Sequence, residues 1–434
     1  MALRVAASRA LRSIPPDYRW NFVNWYMDMA WFGILSGSAL AFVSIYAARL
    51  GATSSQIGMI SAAPAIANLI FALPAGKWLS SRSMGKSVFW FAVFSRLFYL
   101  TWVVLPLLLA SLGQIQAIII TILLLSIPGT MVTVGVNALI AETVPHERIA
   151  QVVGMRNAAL AITSVAASLI SGQILVNVQF PLNYQIVFGI GFIGAMLSTL
   201  HLRLIRAKGR EKIAVDLITN ENLTNIKTVK KWAPIQTLQQ AWISVKKMDP
   251  FRLDIIRGPF RRVILLLFFF HLAQYFGIPI FPPFLVNQLH FNDQVISIGN
   301  SFFNALVFLG STQLAKVTRW LGNKRATGFS IVLLSLYPLI NAMATHEGVY
   351  YLASIVGGLV FSITGGALFN YLLEKIPTGD RPSHLAWYNL ALNAAILIGS
   401  LSGPMAANQF GFVNALLICA AARALSGVFI LRWG

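Results

Sequence analysis

Carboxylates and cysteine are what this chain has least of. Its 434 residues include 13 Asp and Glu and a single cysteine, Cys419. One cysteine excludes an internal disulfide framework and any metal site built on several thiolates. It reads as a small apolar residue inside a helix. Charged residues make up 11% of the chain, against about 25% in soluble globular proteins. A chain so poor in charge would expose large apolar patches in water and aggregate. Two chemistries are missing as well. There is no Gly-x-x-x-x-Gly-Lys-Ser/Thr phosphate loop, which excludes ATP-driven pumping by a nucleotide site of that kind. There is no His-Glu-x-x-His or comparable zinc pattern. Neither a cofactor nor a metal is expected.

What fills the chain is apolar: 57% of residues are hydrophobic and the mean hydropathy is +0.71. A membrane-crossing helix needs about 20 apolar residues. Such stretches recur at 22–48, 54–76, 87–110, 115–141, 149–176, 183–205, 262–287, 295–315, 326–344, 349–373, 384–407 and 412–431. The expectation is an all-α membrane protein with twelve spans. The first stretch exceeds a signal-peptide core in length and is expected to remain as the first span.

The net charge of +20 suggests a nucleic-acid partner until the basic residues are placed. With the N terminus in the cytoplasm they fall on one side: Arg4, Arg9, Arg12 and Arg19, then Lys77, Arg82 and Lys86, then Arg148 and Arg156, then the run from Arg203 to Arg262. Lys316, Arg319, Lys324, Arg325, Lys375, Arg381 and Arg432 complete this set. The short outer loops hold only Arg49, and Arg96 and Arg423 lie within spans. This is the positive-inside asymmetry of a multi-pass protein. It accounts for the charge without nucleic acid and puts both termini in the cytoplasm, with the cell (inner) membrane as the expected location.

One basic, polar segment, 207–260, separates six spans from six. It divides the chain into an N-terminal bundle (1–206), a cytoplasmic linker and a C-terminal bundle (261–434). Within it Ile235, Leu238, Trp242 and Val245 have helical spacing, as in a helix lying on the membrane surface. The two bundles repeat one another weakly. Glu142-Thr-Val-Pro145-His-Glu-Arg148 returns as Glu374-Lys-Ile-Pro377-Thr-Gly-Asp-Arg381, and Phe32-Gly33-Ile34 as Phe276-Gly277-Ile278. The loop Gly76-Lys-Trp-Leu-Ser-Ser-Arg82-Ser-Met-Gly85-Lys86 is matched by Arg319-Trp-Leu-Gly322-Asn-Lys324.

Two related six-helix halves and these loops resemble the major facilitator superfamily. Its signature turn between spans 2 and 3 keeps the glycine and the basic residues here. The position that is acidic in the signature is occupied by Arg82 and, in the second copy, by Arg319. The resemblance implies two bundles with pseudo-twofold symmetry, a central cavity lined mainly by spans 1, 4, 7 and 10, and rocking of one half about a site at mid-depth. It implies a small solute as partner, a monomer in the bilayer, and transport rather than enzymatic catalysis.

An ionisable group inside a span costs at least about 2.5–3.5 kcal/mol, so each one calls for a reason. Asp28 is the one carboxylate deep in a span, roughly 13 Å from the inner surface at the helical rise. Asn21 and Asn24 share its face. A carboxylate there could carry a proton or bind a cationic solute, or it could be a structural partner for Arg96 at similar depth. His271, with Gln274 and Tyr275 beside it, is the next candidate for proton or solute contact. Arg423 reads as snorkelling or locally paired. Asn137 and Asn370, on spans 4 and 10, are the preferred cavity asparagines. Glu142, Arg148, Arg156, Glu374 and Arg381 are candidates for an inner gate of exchanging ion pairs. Pro128-Gly129 in span 4 and Pro279, Pro282 and Pro283 in span 7 should bend their helices.

The reading is therefore a secondary transporter working by alternating access. Proton-coupled efflux is favoured over uptake because an acidic residue in span 1 resembles the pattern of proton-coupled exporters. Two other classes compete: a transporter-like receptor or scaffold, suggested by the missing acid of the signature loops, and an intramembrane lipid-modifying enzyme. The second would need a clustered acid, base or metal set, and none can be assembled from the spans.

Overall fold

The computed structural model of the chain describes residues 16–80, 83–145, 148–206, 252–377 and 380–434. Among these, eleven helices are long and apolar enough to cross a membrane. They are α1 (Tyr18–Arg49), α2 (Ser54–Ser80), α3 (Met84–Leu108), α4 (Ser111–Thr143), α5 (Ile149–Asn177), α6 (Leu182–Leu204), α7 (Phe260–Gln288), α8 (Asp293–Leu321), α10 (Glu347–Lys375), α11 (Arg381–Phe410) and α12 (Phe412–Trp433). The twelfth element, α9, is broken into Asn323–Leu334 and Leu336–Ala342. Pro338, which has no N–H to offer the Leu334 carbonyl, lies just past the break. The two pieces together still rise about 30 Å. Arg82 and the stripe from Ile235 to Val245 lie outside the described residues. A single helical turn, Asp254–Arg257, precedes α7.

Local irregularities follow the same hydrogen-bond accounting. One proline removes one backbone bond, and α2, α3, α4 and α11 run on as α-helix through Pro64, Pro74, Pro106, Pro128 and Pro404. In α7 three prolines fall within five residues. There the α-helix ends at Gly277 and gives way to a 3₁₀ turn (Ile278–Ile280), a short α turn (Phe281–Pro283) and a π turn (Phe284–Gln288). A second π turn, Ser36–Leu40, interrupts α1, and nothing in its sequence announces it. Gly322 ends α8 at φ +75° with ψ 160°, a region open essentially to glycine alone. Its sequence counterpart Gly85 lies inside the first turn of α3.

The packing repeats with an offset of six helices. α1 packs on α5 and α6, as α7 does on α11 and α12; α2 and α3 pack on α4, as α8 and α9 do on α10; α3 meets α6, as α9 meets α12. The two broadest interfaces between the halves are α5 on α8 and α2 on α11, related by the same offset, and the irregular end of α7 also meets α1 and α2. With no hydrophobic drive between helices in lipid, close approach through small residues takes over. On α1, Gly37 lies against the Ser164 backbone of α5; on α11, Gly403 lies against the Phe276 carbonyl of α7.

The apolar core is divided unequally. At the end opposite the N terminus one cluster spans both halves, joining Phe42, Tyr46, Trp102 and Phe188 to Ile280, Phe284, Tyr350 and Leu416. At the end bearing the N terminus the clusters are separate. One holds Phe22, Trp25, Val88, Leu139 and Leu202 of the N-terminal half, the other Phe260, Leu267, Tyr371, Leu372 and Ile430 of the C-terminal half.

Gly403→Ala should lower stability by about 1–3 kcal/mol, since the added methyl runs into backbone that cannot move aside. Gly365→Ala, with open space around it, should change little. Thermal unfolding in detergent compares the two, and equal effects would contradict the packing described.

Candidate functional site: a buried ion cluster beside a cavity

The cluster forms where four helices of the N-terminal half converge. Asp28 on α1 is 2% exposed. Arg156 Nη2, from α5, donates to its Oδ2 at 3.2 Å. Ser198 Oγ, from α6, donates to its Oδ1 at 2.5 Å. Arg96 Nη2, from α3, stands 3.9 Å from Oδ1. Arg96 itself is fixed to α6, its Nη1 donating to Thr199 Oγ1 at 2.6 Å and to the Ala195 carbonyl at 3.1 Å. Each guanidinium also has an aromatic neighbour on α1: Arg156 lies 4.6 Å from the Trp25 ring centre and Arg96 5.7 Å from that of Phe32. Arg156 Nε has no hydrogen-bond partner.

Asp28, Arg96 and Arg156 line a cavity of about 590 Å³, within the range of small-molecule sites. Its wall is built from α1 to α4, with Arg156 and Leu202 closing the side toward α5 and α6. Phe32, Tyr99 and Trp102 give it aromatic faces; Asn68, Ser95, Thr130 and Asn137 give it neutral polar groups. Thr130 Oγ1 donates to Asn68 Oδ1 at 2.7 Å. The cavity thus lies on the N-terminal side of the molecule.

The other sequence candidates are elsewhere. Asn24 points away from the cavity: its Oδ1 meets His201 Nδ1 at 2.9 Å and its Nδ2 donates to the Trp20 carbonyl. His271 is in the C-terminal half, 3.0 Å from the Tyr388 hydroxyl. Gln274 gives its carbonyl to Arg423 Nη2 at 3.2 Å, while its Oε1 has no partner. Asn370 is half-buried on α10. Arg423 is 1% exposed, so it does not snorkel. His271 is not among the residues that line the cavity beside Asp28.

At the end bearing the N terminus, Glu142 and Arg381 are exposed and Arg148 is half-buried at the start of α5. Glu374 accepts from Asn323 Nδ2 at 3.0 Å, which ties the end of α10 to the α8–α9 signature loop. In that loop Arg319 Nε donates to the Ala315 carbonyl and Lys324 is half-buried. Gly76 falls within α2 and Lys86 in the first turns of α3. Arg156 is not part of this surface. Its position eight residues beyond Arg148 sets it about 12 Å deeper by helical rise. That depth was the available signal that it belongs to Asp28.

Two further sets were not singled out from sequence. Ser198 and Thr199 carry the cluster's remaining hydrogen bonds, and an apolar run with scattered hydroxyls gives no hint of it. At the opposite end Arg49 of α1 pairs with Asp293 of α8 at 3.0 Å and donates to the Phe291 carbonyl. Tyr184 of α6 donates to the other oxygen of Asp293 at 2.8 Å. Arg49 had a signal, as the one basic residue of the loops that the charge rule expects to face outward. Nearby, Ser168 of α5 and Ser297 of α8 each donate to the other's carbonyl, at 3.3 and 2.5 Å.

Two pseudo-symmetric six-helix halves, joined tightly at one end and separate at the other, with a buried charged cluster beside a cavity, define a membrane transporter. The model of the Major Facilitator Superfamily matches residues 28–257 and 263–434. The chain belongs to that family. Its fold is shared with a D-xylose–proton symporter (TM-score 0.71, 16% identity, 95% of this chain and 97% of that one). A nucleoside transporter (0.67, 16%, 95% and 99%) and the E. coli xylose transporter in an inward-open conformation (0.68, 14%, 95% and 95%) share it too. In sequence the chain is 22% identical over 160 residues to a multidrug resistance protein of Bacillus subtilis strain 168, a match covering 36% of this chain and 39% of that relative.

Two outcomes test this geometry. Asp28→Ala leaves two guanidiniums buried without their counter-ion and should cost about 3–5 kcal/mol of stability, read as unfolding in detergent; a loss under 1 kcal/mol would show that the cluster is not closed on Asp28. The second concerns the membrane-surface contact of Arg252 with Asp254 (3.0 Å) and Asp380 (2.7 Å). A hydrogen bond from Ser383, with Arg252 beside it, holds the Asp380 carboxyl below the usual carboxylate range, and Arg252 does the same for Asp254. Both carboxyls are depressed in the folded state. Their contribution is therefore complete above the unfolded value near 4 and is lost as pH falls through the lower folded value. Limited proteolysis around residue 252 should stay slow down to about pH 4 and accelerate below it, with Arg252→Ala fast throughout.

Proposed function

We propose that the chain moves a small solute by alternating access and that this structure is its inward-facing state. The carrying observation is the division of the apolar core: one cluster across both halves at the outer end, two separate clusters at the basic end. The outer end is further closed by the Arg49–Asp293–Tyr184 network and the paired serines. The halves 1–206 and 261–434 act as the rocking units, with 207–260 as the connection between them. The charge rule puts both termini in the cytoplasm of a cell's inner membrane, and nothing in the mechanism calls for more than a monomer. The family's chemistry is carriage rather than catalysis.

The direction of transport has support on both sides. A relative named for multidrug resistance favours efflux, and a fold relative named as a D-xylose–proton symporter favours uptake. Asp28 can serve proton coupling in a state in which Arg156 releases it. Under a proton gradient, Asp28→Asn proteoliposomes should lose gradient-driven flux while retaining exchange; unchanged gradient-driven flux would remove Asp28 from the coupling step.

The rocking itself is tested at the outer end. Asn408 of α11 and Ser55 of α2 lie 3.4 Å apart across the halves, and Asn408 is exposed. In a Cys419→Ser background, Ser55→Cys/Asn408→Cys joined by a short thiol cross-linker should abolish flux, and a reductant should restore it. Flux that persists in fully cross-linked protein would overturn alternating access. Absence of flux across a broad solute panel in the uncross-linked protein would favour the receptor reading.

A further inference from the structure

We infer that the solute is an anion, recognised through a carboxylate or phosphate group by the Arg156 guanidinium at the wall of the N-terminal cavity. This deepens the transport reading and rests on it for the word solute. The observation is a charge imbalance with an open valence. Asp28 brings one negative charge to the cluster and Arg96 and Arg156 bring two positive ones. Among the described residues lining the cavity, Asp28 is the one carboxylate. The opposite sign is already served: each oxygen of Asp28 accepts a hydrogen bond, Oδ1 from Ser198 and Oδ2 from Arg156. A cationic solute would approach that carboxylate against the charge of the two guanidiniums beside it.

The two arginines are not equivalent. Arg96 is spent on α6, where Thr199 and Ala195 accept from it. Arg156 gives one N–H to Asp28 at 3.2 Å, and its Nε has no partner although its side chain is only 9% exposed. A buried N–H left unmatched costs about 1–3 kcal/mol, and a planar guanidinium with a free edge suits bidentate capture of carboxylate or phosphate. Trp25 lies against the guanidinium and restricts its orientation. A monoanion at that edge would neutralise the cluster, and Phe32, Tyr99 and Asn137 are placed to contact the rest of the molecule.

The test uses three isosteric probes, benzoate, benzamide and benzamidine, with phenyl phosphate as a second anion. Binding is measured on the full chain in phosphatidylcholine nanodiscs by thermal shift and tryptophan fluorescence. Benzoate or phenyl phosphate should bind at least about tenfold more tightly than benzamide, and benzamidine should bind more weakly still. The variants separate recognition from structure by sign. Arg156→Gln should weaken anion binding about tenfold or more, whereas Asp28→Asn, which raises the positive charge, should hold or strengthen it. If the pair is only structural, both variants weaken binding alike, and that result overturns the inference. So does anion binding that Arg156→Gln leaves unchanged, since the ion then sits on the basic surface. So does benzamidine as the tightest probe, or no binding by either anion. Loss of anion binding when phosphatidylglycerol is added assigns the site to a lipid headgroup and overturns the solute. If Arg156→Gln does not fold, the order of the three probes on the native chain decides. Flux separates the two readings: anion binding without flux would leave this site standing and remove transport, and flux restricted to neutral or cationic solutes would do the reverse.

Discussion

One carboxylate holds the N-terminal half in register. Asp28 gathers α3, α5 and α6 onto α1 through two guanidiniums and a hydroxyl, in a membrane setting where no water is at hand to take over a broken contact. Removing one partner of such a pair costs about 3–5 kcal/mol, whereas hydrogen bonds between membrane helices are worth about 0.6 kcal/mol on average. The cluster therefore outweighs several of the ordinary interhelical contacts around it. It also fixes where the cavity lies, because Arg96 and Arg156 cannot retreat from its wall without abandoning Asp28.

The contacts between the halves are of a different kind. Ser168 with Ser297, Asn408 with Ser55, and Arg49 with Asp293 join polar groups at the end away from the basic loops. Arg49 is 27% exposed and its partner 10%, so water can replace each as the surfaces part. The apolar cluster behind them is larger, but rocking exchanges it for closure of the two inner clusters rather than exposing it outright. A transporter needs its two end states within a few kcal/mol of each other. Exchange of like for like across the two ends meets that requirement.

Most of the fold was legible because lipid leaves so few options. Backbone groups that cannot reach water must bond within a helix, and runs of about 20 apolar residues in a chain this poor in charge have no other use. The two irregular helices divide on the same ground. Pro279, Pro282 and Pro283 announce the broken end of α7, whereas the sequence reading contains no sign of the break in α9, and the π turn at Ser36–Leu40 depends on how α1 seats against α5 and α6. The site was legible by residue and not by partner. Asp28 and Arg96 stand out as charges inside spans. Arg156 was assigned to the surface because it follows a basic loop, and its true neighbour, 128 residues earlier, is set by helix rotation. Asn24 shares a helical face with Asp28 yet turns to His201, since two side chains on one face can meet different neighbours at different depths.

The internal repeat sharpens the last point. The offset that pairs Phe32-Gly33 with Phe276-Gly277 sets Asp28 against Leu272. The C-terminal half keeps the helix pairing and discards the carboxylate. It holds His271 with Tyr388 instead, and a buried Arg423 that bonds backbone. Every member of the Asp28 cluster belongs to helices of one half, so a rigid rotation between halves does not of itself break the cluster; what it parts are the polar contacts and the apolar cluster shared by the two halves. That division suits a carrier. The half that recognises the solute keeps its geometry in both end states, and the motion that releases the solute does not first have to dismantle the charge that binds it.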